Sequence, residues 1–113
     1  MGQYKDLIVF HKSDELAYFI YKITSAFPKE ERYSLTSQIR RAALSIPTNI
    51  VEGYARKSKK ELKHFINIAL GSHAETKYLF DFSIKLGYIK DKSEVEGLID
   101  EVGRMLWGFY RSL

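Results

Sequence analysis

The chain has 113 residues, 45% of them hydrophobic and 28% charged, with no cysteine and a formal net charge of +4. That size allows one ordinary domain spanning residues 1–113, and the balance of apolar to charged residues excludes a disordered or collagen-like chain. Absence of cysteine excludes disulfides and thiolate metal sites and fits a reducing cytoplasm, while the mild basicity permits an anionic partner without requiring one.

The first apolar run, Leu7 to Phe10, falls far short of the ~20 residues needed to cross a bilayer. No small-residue cleavage site follows it, so neither a membrane nor an export route is expected. It reads as a short, extended lead-in. Hydrophobic spacing then follows the helical period almost throughout. The first helix is expected from about Ser13 to Ala26, with Leu16, Phe19, Ile20 and Ile23 on one face. Phe27-Pro28 ends it, because a residue before proline avoids helical angles.

A second helix is expected from near Ser34. Its stripe of Leu35, Ile39, Ala42, Ile46, Ile50 and Gly53 keeps phase through Pro47, which implies one helix kinked at the proline rather than two. Asn49 is positioned to satisfy a carbonyl freed there. Ser58 with Glu61 forms a capping box that opens the longest pattern, running to about Leu86 before Gly87. Asp91 with Glu94, or Ser93 alone, can cap a fourth helix carrying Val95, Leu98, Ile99, Val102, Leu106, Phe109 and Leu113. Four such segments with short connections bury their stripes as an all-α, antiparallel, up-down-up-down four-helix bundle.

Two helices carry more apolar surface than one core uses. Leu44, Val51 and Ala55 form a second strip on helix two. Helix three is apolar on two adjacent sides, Leu62/Ile66/Ala69/Phe80/Ile84 and Phe65/Ile68/Leu79/Phe82/Leu86. A central helix in a monomer or a contact between copies accounts for this. Beside the core stripe, Gln38, Arg41, Ser45, Asn49, Glu52 and Arg56 fall within roughly 60° of one another on a helical wheel. They form a polar seam to which Ser72 and Glu75 of helix three contribute. Glu75 lies among apolar neighbours there and calls for a cationic partner, Arg41 or Arg40.

The run from Phe27 through Pro28, Lys29, Glu30, Glu31, Arg32, Tyr33 and on to Ile50-Val51-Glu52-Gly53 resembles the signature of bacterial proteins encoded in intervening sequences of large-subunit ribosomal RNA genes. The likeness extends to Tyr4-Lys5-Asp6-Leu7 and to Ile68-Ala69-Leu70-Gly71-Ser72-His73-Ala74-Glu75. Val51 departs from the usual alanine. The resemblance implies a left-handed four-helix bundle that assembles into a homopentameric ring. A similar branch, the accessory protein of diversity-generating retroelements, works with a reverse transcriptase and binds nucleic acid through its basic surface. For this chain that implies RNA or DNA and a nucleic-acid-processing protein as partners, by analogy of fold.

The residues themselves offer one matching feature. Arg56, Lys57, Lys59, Lys60, Lys63 and His64 crowd the connection before helix three and its first turns, where cations oppose the helix dipole and an anion would relieve them. A solvated loop that only aids solubility is the competing account. Tyr54, Tyr78 and the other aromatics do not interleave with this cluster as in a known RNA-binding motif. No enzyme is expected: Glu61-Leu62-Lys63-His64 is a single Glu-x-x-His motif without the second that a dinuclear bundle site needs. His73 reads as a packed or interface histidine. No metal, cofactor, nucleophile or phosphate loop is assigned. Two functions stay open, a nucleic-acid-binding accessory subunit and a protein-interaction scaffold.

Overall fold

The computed structural model describes Tyr4 and residues 7–113; Lys5 and Asp6 of the lead-in lie outside the described residues. All regular structure among them is helical. Four helices, α1 (Ile8–Thr24), α2 (Leu35–Ala55), α3 (Lys59–Lys85) and α4 (Ser93–Ser112), are joined by short connections that include one 3₁₀ turn at Lys29–Glu31. Each helix packs on its neighbours in sequence, and α4 returns to α1, which closes a four-helix bundle. Its long dimension, 43 Å, matches a 27-residue α3 at about 1.5 Å per residue.

α1 begins at Ile8, so the expected extended lead-in is helical from Ile8 to Phe10. The reason is that the buried stripe reaches back through Ser13 to Val9. Ser13 enters the core because its hydroxyl donates to the Phe10 carbonyl at 2.9 Å, leaving no unsatisfied polar group. At the other end Thr24 closes the helix, two residues before the expected Ala26, and 3₁₀-type bonds carry the chain through Ser25, Ala26 and Phe27.

α2 passes through Pro47 unbroken, because Ala43, Ile46, Pro47 and Ile50 are all buried on the same side. Proline removes the donor that would have reached the Ala43 carbonyl. Asn49 serves a different carbonyl: its Nδ2 donates to Ser45 O at 2.7 Å, and Thr48 Oγ1 donates to Leu44 O at 2.7 Å. The expected rescue by Asn49 thus falls two residues beyond the freed group. The start of α2 is held by Glu31, whose Oε1 accepts from Ser34 Oγ at 2.6 Å and from the Leu35 amide at 3.4 Å. Its Oε2 accepts from Tyr88 Oη at 2.9 Å, tying this corner to the α3–α4 connection.

Those hydrogen bonds, Ser34 first and then Tyr88, hold the Glu31 carboxyl below its ordinary 4.5. A depressed carboxyl stabilises the fold fully above its unfolded value, and that contribution disappears as pH falls through the folded value. Tyr88→Phe should therefore flatten the loss of melting temperature on acidification below pH 4.5, as followed by circular dichroism. An unchanged acid profile would contradict that role for the tyrosine.

Ser58 Oγ caps α3 through the Glu61 amide at 3.3 Å, as the sequence predicts. Gly87, at φ +82, ends that helix: its amide donates to Ile84 O and the Tyr88 amide to Ser83 O, the paired bonds of a Schellman motif. α4 departs from expectation at its start. Lys92 is the capping residue, without a side-chain bond, and Asp91 Oδ1 instead accepts from Ser93 N and Oγ.

The α2–α3 contact is the most extensive in the bundle. Small residues allow it. A Cβ on Gly53 would stand 2.9 Å from Leu62 Cδ1 and 3.1 Å from Phe65 Cβ, so a larger residue there would make both side chains shift. No described helix is long and apolar enough to cross a membrane.

Candidate nucleic-acid interface

The tight α2–α3 turn determines how the basic residues are shown. Lys57 has φ 54, the left-handed conformation usually taken by glycine after a helix. The chain therefore reverses within three residues, and Arg56, Lys57, Lys59 and Lys60 are all exposed at one end of the bundle. Glu52 pairs with Arg56 at 3.3 Å, and neither Lys57, Lys59, Lys60 nor Lys63 has an ion-pair partner among the described residues. Three of these lysines sit at or near the positive end of α3, so their mutual repulsion adds to the helix dipole.

Lys63 is half-buried, with Nζ 4.9 Å from the centroid of Tyr110 on α4. The Arg56 guanidinium lies 5.2 Å from the centroid of Phe65. Tyr110 meets Trp107 edge to face at 5.9 Å, and Trp107 is 52% exposed. Aromatic rings thus stand beside the basic end, because the last turns of α4 lie beside the start of α3. Arg104, Trp107 and Arg111, at spacings of three and four, share the outward side of α4 and line a shallow groove of about 750 Å³ with His73, Asp100 and Gly103. That spacing was the signal available in the sequence.

His73 is packed, as expected. Its Nε2 lies 2.7 Å from the Ile99 carbonyl, and its ring occupies the space where a Cβ on Gly103 would be, 2.6 Å from Cε1. Of the polar seam, the structure brings together Ser45, Asn49 and Ser72. Ser72 Oγ donates to Ser45 Oγ at 2.8 Å across the α2–α3 contact, and Asn49 Nδ2 reaches the same oxygen at 2.9 Å. Gln38, Arg41, Glu52 and Glu75 are exposed, so they do not belong to a buried seam within the chain. The expected Glu75 pair is not formed. Glu75 and Arg41 make no ion pair among the described residues, and Arg40 turns to Thr24 and Tyr21 instead. The physical reason is that the α3 face bearing Ile68, Glu75 and Phe82, seven residues apart, looks away from the bundle. Among the described residues no group of three or more His, Asp or Glu could hold a metal ion; Glu61 and His64 are both exposed.

The family model of the 23S rRNA-intervening sequence protein matches residues 5–108. Among solved structures, the chain is similar to a Bacteroides thetaiotaomicron VPI-5482 protein described as being of unknown function and from the S23 ribosomal protein family. The two share 26% identity and a TM-score of 0.83 over 92% of this chain and 96% of that one. No match is found among curated proteins.

Proposed function

Because the chain belongs to the 23S rRNA-intervening sequence protein family, we propose that it is a non-enzymatic, oligomeric accessory protein that holds nucleic acid on the basic end of its bundle. The observation that carries this reading is the cluster of Lys57, Lys59, Lys60 and Lys63, without carboxylate partners and flanked by Tyr110 and Trp107. Cations that track a phosphate backbone, with aromatic faces on which bases stack, are what sequence-tolerant single-strand binding requires.

The oligomeric part rests on two separate apolar surfaces. One is the α1–α2 groove with Tyr18, Tyr21 and Leu44, edged by Asp14 and Glu15; the other is the outward face of α3 with Ile68, Tyr78, Phe82 and Leu86. Different patches that cover one another between copies make a head-to-tail contact, which closes into a ring when the rotation allows. A homopentamer of the 13.2 kDa chain is the assembly proposed, and a ring would repeat the basic end on each copy. Leu44, 46% exposed, tests it. Leu44→Glu should lower the mass by light scattering to that of the monomer while helical circular dichroism is kept, and an unchanged mass would remove Leu44 from the contact.

The nucleic-acid reading is tested by anisotropy titration of labelled single-stranded and duplex RNA and DNA at low and near-physiological salt. Steep weakening with salt supports it. Absence of binding at low salt would leave the assembly as a protein-interaction scaffold.

A further inference from the structure

A second cationic site lies at the other end of α2 from the basic turn, about 24 Å away at 1.5 Å per residue from Arg40 to Arg56. Where α1 gives way to the 3₁₀ turn and α2 begins, Thr24, Phe27, Pro28, Lys29, Arg32, Thr36 and Arg40 enclose a recess of about 360 Å³. An adjoining hollow of about 290 Å³ shares Arg32, Thr36 and Arg40 and adds Arg41. Size places the recess in the range of small-molecule sites.

Its chemistry is one-signed. Lys29, Arg32 and Arg40 have no ion-pair partner among the described residues. The carboxylates nearest in sequence do not neutralise them: Glu31 is engaged by Ser34 and Tyr88, and Glu30 makes no ion pair. Arg40 is held in place before any ligand arrives. Its Nε donates to Thr24 Oγ1 at 2.8 Å, its Nη2 to the Tyr21 carbonyl at 3.2 Å, and its plane lies 4.7 Å from the Tyr21 ring centroid. Further guanidinium N–H groups remain for another acceptor. Thr24 and Ser25 commit their hydroxyl protons to the Ile20 and Lys22 carbonyls. Thr36 does not: it is 8% exposed, lines both hollows, and has no hydrogen-bond partner for its hydroxyl among the described residues. That hydroxyl is open to solvent in the recess, where it can donate to a bound acceptor.

We infer that this recess is an oxyanion site that binds a phosphate group, with Arg40 as the fixed fork, Arg32 and Lys29 as flanking charges and Thr36 as a neutral donor. Three cations suit a phosphate dianion better than a single carboxylate, and arginine matches phosphate geometry with paired N–H bonds. The group can come from free inorganic phosphate or from the terminal phosphate of a nucleic acid.

The test is an amide NMR titration of the full chain with inorganic phosphate, chloride being adjusted to hold ionic strength constant. Saturable shifts confined to residues 24–40, and absent from 56–63, are expected. Arg32→Gln alters an exposed side chain, so the fold is retained; it should weaken binding on the order of tenfold by removing a charge-assisted bond. Thr36→Val, of similar shape, should weaken it also. A short single strand bearing a 5′-phosphate, compared with the same strand without one, separates the sources. Shifts at 24–40 with the phosphorylated strand alone assign the site to nucleic-acid ends, and shifts with inorganic phosphate alone assign it to the free ion. No saturable response at 24–40 with any of these probes, or undiminished binding by Arg32→Gln, would overturn the assignment.

Discussion

Exchanging Lys57, Lys59, Lys60 and Lys63 together for glutamine is expected to weaken single-strand binding on the order of a thousandfold at about 0.1 M salt. Each lysine on a phosphate of a single strand releases about 0.7 counterion, so four remove about 2.8 from the slope of log affinity against log salt and a similar number of decades from the affinity. Glutamine keeps the helix propensity of lysine in α3, and at Lys57, with φ 54, it leaves the backbone strain as it was. Melting should therefore stay close to wild type while binding collapses. Anisotropy titrations of both proteins at several salt concentrations measure affinity and slope together. An unchanged slope would show that these lysines do not touch phosphate.

Phe80→Ala should bring the largest loss of stability from a single substitution. Phe80 is 1% exposed and the largest of the fully buried side chains. Truncating a buried phenylalanine costs about 3–5 kcal/mol through lost burial and the cavity left behind. Domains of this size are stable by about 5–15 kcal/mol, so the variant should unfold at much lower urea, or be largely unfolded without denaturant. Lys77→Ala, an exposed change on the same helix, should shift stability by no more than about 0.5 kcal/mol. Urea midpoints by circular dichroism compare the two. A Phe80→Ala midpoint close to wild type would mean that the α3 stripe is not the centre of the core.

Much of this architecture was legible in the sequence because the signals were local. A periodic stripe through Pro47, a capping pair at Ser58 and Glu61, and a glycine after Leu86 each act within a few residues and fix where α2 and α3 run. The start of α1 was hidden because His11, Lys12 and Ser13 interrupt the apolar pattern, although Ser13 is buried with its hydroxyl on Phe10. Glu75 was misplaced for a different reason. Periodicity finds two apolar sides on α3 but does not tell where burial stops: Leu79 of the second side is buried, whereas Ile68, Glu75 and Phe82 face outward.

The basic turn was legible in the sequence as a run of charges but not as a surface. Lys63 meets Tyr110 from the far end of the chain, and Trp107, Arg104 and Arg111 follow on α4. Only tertiary packing creates that neighbourhood. The phosphate recess was missed on the same ground: Arg32, Thr36 and Arg40 recur at spacings of four, but Thr24, Phe27 and Lys29 join them only through the packing of α1 and the turn against α2.

Nucleic acid is expected on the end of the bundle that bears the α2–α3 turn. Photo-crosslinking a single-stranded RNA carrying 4-thiouridine to the wild-type protein, followed by mass spectrometry of the adducts, locates it directly. Adducts on Phe65, Trp107 and Tyr110, on peptides that include residues 56–65 and 104–111, are the expected result. Adducts confined to other surfaces, or none at low salt, would exclude this end of the bundle as the binding site.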